Sequence, residues 1–528
     1  MPDLLGIELE VIEILLVVSL VAVAARRFRM PYTVALVLAG LALTVQNELQ
    51  LELTPELVLA FFLPPLLFEA AFHIQFRELR EDLGPILALA VPGVVLSAAL
   101  TGGLLYAAGI LALPQALLFG ALISATDPVS VVATFKAMGA PRRLTTLLEG
   151  ESLFNDGTAI VAFQIVLVLA LAGTLDPLKG LVDFFRVSLG GLAIGAVLGY
   201  AIAQLIARID DYLIEITLTT ILAFGSYLIA ERFHVSGVLA VVMAGLINGN
   251  LGPRGMSPTT RIVLFNFWEY IAFLSNSFIF LLIGMNVNLD ELGLYLQPVL
   301  IAVAAVLVTR AIVTYTLGSI VRIFKRNLPF SYLHVLVWGG LRGAVSLALV
   351  LSLPFTLAER RQLLAMAFGV VLFTLLAQAT SIPLLLRRLG FAGNQRTPAE
   401  YERLQGELLA IRAARRHIDH LHREGALIPH AWETVEQELD QRERQALGAI
   451  DELLAKHPEL QEEIISLARK EALRAQRAAL ASLAREGLLS EETLSELQAE
   501  VDSALQETET DHATEKQAIV EERAPITS

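Results

Sequence analysis

The chain has 528 residues, of which 55% are hydrophobic and only 17% charged, and its mean hydropathy is +0.63. A soluble domain carries roughly 25% charged residues, so this composition excludes an ordinary soluble protein and indicates a membrane protein. The chain has no cysteine, which excludes disulfides, thiolate metal sites and thiol catalysis. Its net charge of −14 is concentrated in residues 395–528, which hold 28 acidic and 16 basic side chains.

Apolar segments follow one another from the N-terminus to about residue 389. A membrane-spanning helix needs about 20 largely apolar residues, and on this basis we predict thirteen spans, two of them short for a full crossing. The first span lacks a basic segment before it and carries three glutamates, so we expect a retained helix and not a cleaved signal peptide. The predicted spans are 7–25, 32–46, 55–73, 84–110, 114–136, 145–172, 181–208, 213–230, 236–251, 261–288, 298–323, 330–353 and 362–389.

The distribution of basic residues predicts the orientation. Thirteen spans put the two termini on opposite sides of the membrane. The loops on the side of the C-terminal tail contain 16 Lys and Arg residues, whereas the opposite loops contain 5. Because basic loops face the cytoplasm, we expect a cytoplasmic tail, an external N-terminus and a location in the cell membrane.

The short spans contain an internal repeat. The segment 34–41 (VALVLAGL) is similar to 239–246 (LAVVMAGL), and the two lie in spans 2 and 9. An offset of seven spans is odd, so the two copies enter the membrane in opposite directions, as in the inverted repeats of secondary transporters. The predicted fold is therefore an all-α polytopic membrane protein with two inverted six-helix repeats, spans 1–6 and 8–13.

Spans 5 and 12, also seven apart, carry helix breakers at mid-membrane. The first is Ser124–Pro128 (SATDP) and the second is Gly339–Gly343 (GGLRG). Either alone is more simply a proline kink or a glycine packing face, but interrupted helices in matching positions of two halves indicate a transporter's binding site. We expect Asp127 to cap the second half-helix, and Arg342 to neutralise the carbonyl ends at the other break. The carbonyl of Thr126 is a candidate cation ligand.

The run 149–158 (EGESLFNDGT) is the densest group of polar residues within a span. Helical spacing puts Ser152, Asn155 and Asp156 on one face. A carboxylate, a hydroxyl and an amide oxygen suit an alkali cation better than a transition metal. Asp156 is predicted to hold either a proton or a cation, and Asn155 adds polar atoms without a second charge, so we expect electroneutral one-for-one exchange.

Other charges at membrane depth are candidates because burying them is costly. Glu69, after the Pro64–Pro65 pair, either joins the cation site or is satisfied by His73 one turn on. Glu151 is predicted to form a structural ion pair, with Arg310 or Arg342 as its partner. We expect water around the charged residues near span ends, which are Glu13, Glu215, Glu231 and His234.

Four motifs together resemble the monovalent cation/proton antiporter-1 family, which includes the NhaP proteins and the NHE exchangers. They are 62–72 with Pro-Pro and Glu, 124–132 with Thr-Asp-Pro, 149–158 with Gly-Glu-Ser-x-x-Asn-Asp, and 339–346 with Gly-Gly-Leu-Arg-Gly-Ala-Val. The likeness covers roughly residues 5–390, with the motifs in order.

The resemblance implies a thirteen-helix homodimer, with a core domain carrying crossed helices 5 and 12, a dimerisation domain and an elevator-type movement. It implies electroneutral Na⁺/H⁺ exchange, although some members prefer K⁺ or take Li⁺. Asp156 would be the ion-binding and proton-carrying carboxylate and Asn155 its partner. The residues that would line or shape the site are Ser152, Glu69, Thr126 and Asp127, with the cation at Asp156, Ser152, Glu69 and Thr126.

Residues 1–394 form the predicted membrane domain, and residues 395–528 a helical tail. The tail contains a second repeat, 421–427 (LHREGAL) against 483–489 (LAREGLL). Each copy is typical of a helix that ends at a glycine and is followed by a second helix. We therefore predict two helical hairpins, at about 400–457 and 459–506. The tail either only aids assembly or regulates transport by sensing pH or a ligand.

Three functions compete. A Na⁺/H⁺ antiporter is the leading hypothesis, and a K⁺/H⁺ antiporter on the same scaffold is the close alternative because both ions use the same oxygens. A channel or a membrane sensor is the alternative of another class, but neither needs a titratable carboxylate beside two broken helices. We expect no enzymatic activity, bound cofactor or nucleic-acid partner, since the sequence has no evident nucleophile–base pair, phosphate loop or metal-spaced cluster.

Overall fold

The computed structural model describes most of the chain, and its described residues are almost wholly helical, with no strand among them. They divide into two compact units, Met1–Gly393 and Asn394–Ser528. The described residues are 4–28, 30–46, 54–172, 177–209, 211–252, 258–324, 328–391, 396–485, 493, 494, 496, 497, 500 and 501.

The helices of the first unit follow the predicted spans closely. Two π-helical segments, Leu57–Phe62 and Thr374–Ala379, precede α3 and α18. The helices are α1 (Leu4–Phe28), α2 (Tyr32–Gln46), α3 (Leu63–His73), α4 (Phe76–Ala90), α5 (Pro92–Ala107), α6 (Leu113–Leu122), α7 (Val129–Met138), α8 (Arg142–Ala172), α9 (Pro177–Ile206), α10 (Tyr212–Arg232), α11 (Gly237–Leu251), α12 (Pro258–Met285), α13 (Leu289–Leu294), α14 (Leu296–Phe324), α15 (Phe330–Trp338), α16 (Ala344–Leu351), α17 (Arg360–Phe373) and α18 (Thr380–Arg388).

Seven described helical segments are long and apolar enough to cross a membrane, and six shorter ones are also apolar. Twelve of the predicted spans overlap these segments, and the other, 330–353, falls on the two short helices α15 and α16. The structure adds interruptions within some of them, including the short break between α4 and α5 and the two π-helical segments. The number of membrane crossings and the inverted topology stay predictions.

The two copies of the internal repeat pack in a reciprocal way. Helix α2 packs against α12, and α11 packs against α3. Gly40 of α2 lies so close to Leu281 of α12 that an added Cβ would overlap the Leu281 carbonyl, and a Cβ on Gly245 of α11 would lie 2.9 Å from the carbonyl of Phe68 in α3. Gly40 and Gly245 occupy the same position of the repeated sequence, so the repeated glycines serve the same purpose, which is close helix packing.

The two broken spans cross at their interruptions. Residues 123–128 separate α6 from α7, and residues 339–343 separate α15 from α16. The backbone N–H of Asp127 donates to the Leu341 carbonyl across the crossing, at 2.9 Å. Ser346 Oγ donates to the carbonyl of Ala125 at 3.5 Å. Each non-helical segment therefore forms hydrogen bonds with backbone groups of the other. Such bonds allow irregular backbone to exist at membrane depth.

One prediction about hydration is wrong. We expected water around Glu215, but the residue is fully buried, with 0% exposure. Helix α10 packs against α9, α11 and α12, so its inner face is covered from the first turn. Glu13, Glu231 and His234 are exposed, in agreement with the expectation.

The second unit begins with α19 (Arg396–Arg423), α20 (Pro429–Lys456) and α21 (Pro458–Arg485). Gly425, with φ of +74°, lies in the turn between α19 and α20. Ile411, Leu439 and Ala446 form a small apolar core in this hairpin. Residues 486–492 and 502–528 lie outside the described residues, and so does most of the second half of the second predicted hairpin.

Candidate functional site

The first helix break is held in place by α8. The side chain of Asn155 uses both ends of its amide, since Oδ1 accepts from the backbone N–H of Thr126 at 3.2 Å and Nδ2 donates to Thr126 Oγ1 at 2.5 Å. Ser152 Oγ donates to the Thr126 carbonyl, also at 2.5 Å. Three groups of one break residue are thus bound to a continuous helix, which fixes the conformation of a segment with no helical hydrogen bonds of its own.

Asp156 faces a different direction from Asn155. It is buried, with 8% of the residue exposed, and its Oδ1 accepts no hydrogen bond from any part of the chain that the structure describes. It lines a cavity of about 100 Å³ between α3, α8, α12 and the two helix breaks. The polar residues around this cavity are Glu69, Thr126, Asp127, Glu149, Ser152, Asp156, Asn276 and Ser346.

Asp127 acts at the start of α7. Its Oδ1 accepts from the backbone N–H of Val129 at 3.0 Å, as a helix-capping carboxylate does. The helix begins at Val129, and Pro128 lies between it and Asp127.

Arg342 lies at the second break and is 3% exposed. Its Nη1 donates to the carbonyl of Gly340 at 3.1 Å, and its backbone N–H donates to Thr374 Oγ1 at 3.1 Å. The positive charge is therefore in contact with a carbonyl freed by the break, where the ends of helices carry partial negative charge.

Glu151 forms a buried ion pair, and of its two predicted partners the one it contacts is Arg310. The guanidinium of Arg310 binds both carboxylate oxygens, at 2.5 and 2.9 Å, and the two side chains are 8% and 1% exposed. Arg310 also donates to the carbonyl of Leu336, near the end of α15. The pair therefore connects α8, α14 and α15 next to the crossing.

Glu69 contacts His73, as one of the two alternatives predicted, and it also lines the cavity. Its Oε1 lies 3.2 Å from His73 Nδ1, one turn along α3. The Glu69 side chain nevertheless lines the same cavity as Asp156. A carboxylate in contact with an imidazole can therefore still face the site.

Five of the six residues predicted for the ion site line the cavity, and the sixth, Asn155, binds Thr126 without lining it. Three further polar residues of the cavity, Glu149, Asn276 and Ser346, had no role predicted from the sequence. Asn276 stands in a run of three consecutive polar residues, Ser275–Ser277, which was a usable signal. Glu149 opens the motif that contains Asp156.

Comparison with known proteins shows the family to which the chain belongs. The family model "sodium/hydrogen exchanger, transmembrane" matches residues 14–388. The Na(+)/H(+) antiporter ApNhaP of Aphanothece halophytica is 45% identical over 391 residues, covering 73% of this chain and 74% of that protein. The Na(+)/H(+) antiporter NhaG of Bacillus atrophaeus is 36% identical over 518 residues, covering 94% and 97%.

Among solved structures, the fold is similar to that of the sodium proton antiporter MjNhaP1 from Methanocaldococcus jannaschii. The TM-score is 0.60 at 20% sequence identity, and the match covers 72% of this chain and 99% of that one. At this identity the likeness concerns the fold alone. From the matched family model and the two relatives, we conclude that this chain is a multi-pass membrane protein that belongs to the transmembrane sodium/hydrogen exchanger family.

Proposed function

We propose that the chain is a secondary active antiporter that exchanges one Na⁺ for one H⁺, with Asp156 carrying either ion. The observation that carries this proposal is that Asp156 lines a small cavity while its buried Oδ1 accepts no hydrogen bond in the described part of the chain. A buried carboxylate without a donor needs a proton or a cation to offset its charge. The relatives of this chain that are named Na(+)/H(+) antiporters support sodium as the cation.

The other groups at the cavity suit a small monovalent cation. The Thr126 carbonyl, the Ser152 hydroxyl and the Asp156 carboxylate are hard oxygen ligands. The Asn155 amide is neutral and binds Thr126, so it adds no charge next to Asp156. One exchangeable charge at Asp156 supports a one-for-one stoichiometry.

The proposal includes alternating access. An unloaded Asp156 carries an unpaired charge at membrane depth, which is costly, so only the loaded protein changes sides. The movement that the family resemblance implies is of the elevator type, in which the core domain with the two crossed helices carries the loaded site across the membrane. We further propose a homodimer in the cell membrane with a cytoplasmic tail, the orientation that the 16 against 5 basic loop residues favour.

The test is proton movement driven by a Na⁺ gradient in proteoliposomes. Asp156→Asn should abolish it, since the amide can carry neither ion. Asp290→Asn, an exposed residue of α13, is the matched control and should transport as the wild type does. Full activity in Asp156→Asn would refute the proposal, and faster exchange with K⁺ than with Na⁺ would replace the proposed cation.

Electroneutrality has a separate measurement. When a membrane potential is imposed on the proteoliposomes with valinomycin and K⁺, the initial exchange rate should not change, because one positive charge moves in each direction. The control is the same liposome set without the ionophore. A rate that increases with the potential would contradict the one-for-one stoichiometry.

A further inference from the structure

A second cavity lies next to the one that contains Asp156. It has a volume of about 420 Å³ and is lined by residues of α3, α4, α7 and α8. We call it the vestibule. Under the proposed topology it opens on the cytoplasmic side. Its charged residues are His73, Glu78, Lys136, Arg142 and Glu149.

Glu149 links the vestibule to the site. Of all described residues that line either cavity, Glu149 is the one that lines both. It lies seven residues before Asp156 on α8, which corresponds to two turns of the same helical face and roughly 10 Å along the axis. A cation that moves from the vestibule towards Asp156 therefore passes Glu149.

The carboxylates near this path differ in their partners. Glu78 is bound by Arg142 at 3.0 Å and by Thr146 Oγ1 at 3.2 Å, and Glu69 contacts His73. Glu149 has no hydrogen bond or ion pair with any residue in the described ranges, although Lys136, Glu69, His73 and Glu78 are within electrostatic range of it. The half-buried Glu149 carboxylate is thus available to a mobile cation.

We propose that Glu149 is a staging residue, which binds the incoming monovalent cation between the vestibule and Asp156 and so raises its concentration at the exchange site. This inference rests on the proposed antiport function and adds a second cation contact to it. Glu149 is a carboxylate of the vestibule that no hydrogen bond or ion pair in the described ranges occupies, so its negative charge attracts a cation there. The cation can exchange water for carboxylate oxygens at Glu149 before it reaches the narrower cavity.

The first experiment measures Na⁺-dependent proton exchange by the full chain in proteoliposomes over a series of Na⁺ concentrations. Glu149→Gln should raise the apparent KM for Na⁺ by about three- to tenfold and leave the maximal rate within about twofold, because ion supply is impaired and not the exchange step. Glu149→Asp should give an intermediate KM. Glu78→Gln is the matched control, because it removes the same charge from the same vestibule but from a carboxylate that Arg142 already binds; its KM should stay near that of the wild type.

Three results would overturn the inference. They are an unchanged KM in Glu149→Gln, an equal rise in Glu78→Gln, and complete loss of exchange in Glu149→Gln. The last would make Glu149 part of the exchange site itself. If the wild type shows no Na⁺-driven proton movement, the proposed function fails, whereas an active wild type with an unaffected Glu149→Gln contradicts only the staging role.

A second experiment tests whether a change in KM at position 149 comes from the charge and not from misfolding of the variant. The chain has no cysteine, so Glu149→Cys introduces a single reactive thiol. Modification with a negatively charged sulfonatoethyl thiosulfonate should lower the raised KM towards the wild-type value, and a positively charged trimethylammonium reagent should raise it further. The same folded protein is compared before and after reaction. An equal response to the two reagents would contradict the proposal.

Discussion

The neighbouring residues Asn155 and Asp156 have different contacts, and the structural difference between them follows from these contacts. Successive residues of a helix point about 100° apart, so one side chain faces the helix break and the other faces the cavity. Asn155 is 1% exposed and binds Thr126 with both amide atoms. Asp156 lines the cavity, and its Oδ1 accepts no hydrogen bond from the described part of the chain. Asn155 therefore holds the backbone of the first helix break, whereas Asp156 has the exposure to the cavity that the proposed ion carrier needs.

Glu151 and Arg310 provide a stability prediction at this scale. Glu151→Gln should lower the free energy of unfolding by about 3–5 kcal/mol, since removing one partner leaves the buried Arg310 charge uncompensated. The measurement is the shift of the unfolding midpoint in detergent. Glu81→Gln is the control, because the Arg77–Glu81 pair is 87% and 69% exposed, and an exposed pair contributes about 1 kcal/mol or less. Similar losses in the two variants would contradict a stabilising role for the buried pair.

At the scale of elements, the crossing depends on small residues as much as on charged ones. Gly343 immediately precedes α16, and its φ of −150° is accessible to any residue. What requires glycine there is space, since an added Cβ would overlap the carboxylate of Asp127. The same Asp127 backbone donates across the crossing to Leu341. The two breaks are therefore in direct contact, and a larger residue at 343 would push them apart.

Gly343→Ala should reduce Na⁺-driven exchange by at least about tenfold and lower the unfolding temperature, because overpacking a tight site costs about 1–3 kcal/mol. Gly103→Ala in α5 is the matched control. A Cβ at Gly103 would meet nothing within 4 Å, and alanine in a helix is about 0.5–1 kcal/mol more stable than glycine. Exchange rate and melting temperature are measured on both. Wild-type transport by Gly343→Ala would show that the crossing tolerates separation.

At the scale of the whole molecule, the site belongs to one of the two compact units. Every residue assigned to it, from Glu69 to Arg342, lies within Met1–Gly393. The match to MjNhaP1 covers 99% of that chain but 72% of this one, and the residues matched by the family model, 14–388, all lie in the first unit.

A chain that ends at Gly393 should therefore retain Na⁺/H⁺ exchange with an apparent KM for Na⁺ close to that of the full chain. Transport and size-exclusion behaviour of the two chains are compared in the same liposome preparation. A shortened chain that is folded but inactive would show that the tail is required for exchange. A shifted pH dependence at full activity would favour the regulatory interpretation of the tail over an assembly aid.

Much of the fold was predictable because its signals are local. Helix length and hydropathy need only the sequence of each segment, and proline and glycine mark the two breaks within their own spans. The α2 and α11 repeat was visible for the same reason. The π-helical segments Leu57–Phe62 and Thr374–Ala379 were not predicted, because they carry apolar residues like those of the helices around them.

The sequence by itself determined that this is a polytopic helical membrane protein, where its helices break, and that Asp156 and Asn155 stand beside a break. Only the tertiary structure decided that Arg310 pairs with Glu151, that Asn155 binds Thr126, that Asn276 and Glu149 join the cavity, and that Glu215 is buried. Those contacts join residues far apart in the chain, and they depend on how each helix is rotated against its neighbours. Rotation follows from the packing of all the helices together, which no single segment encodes.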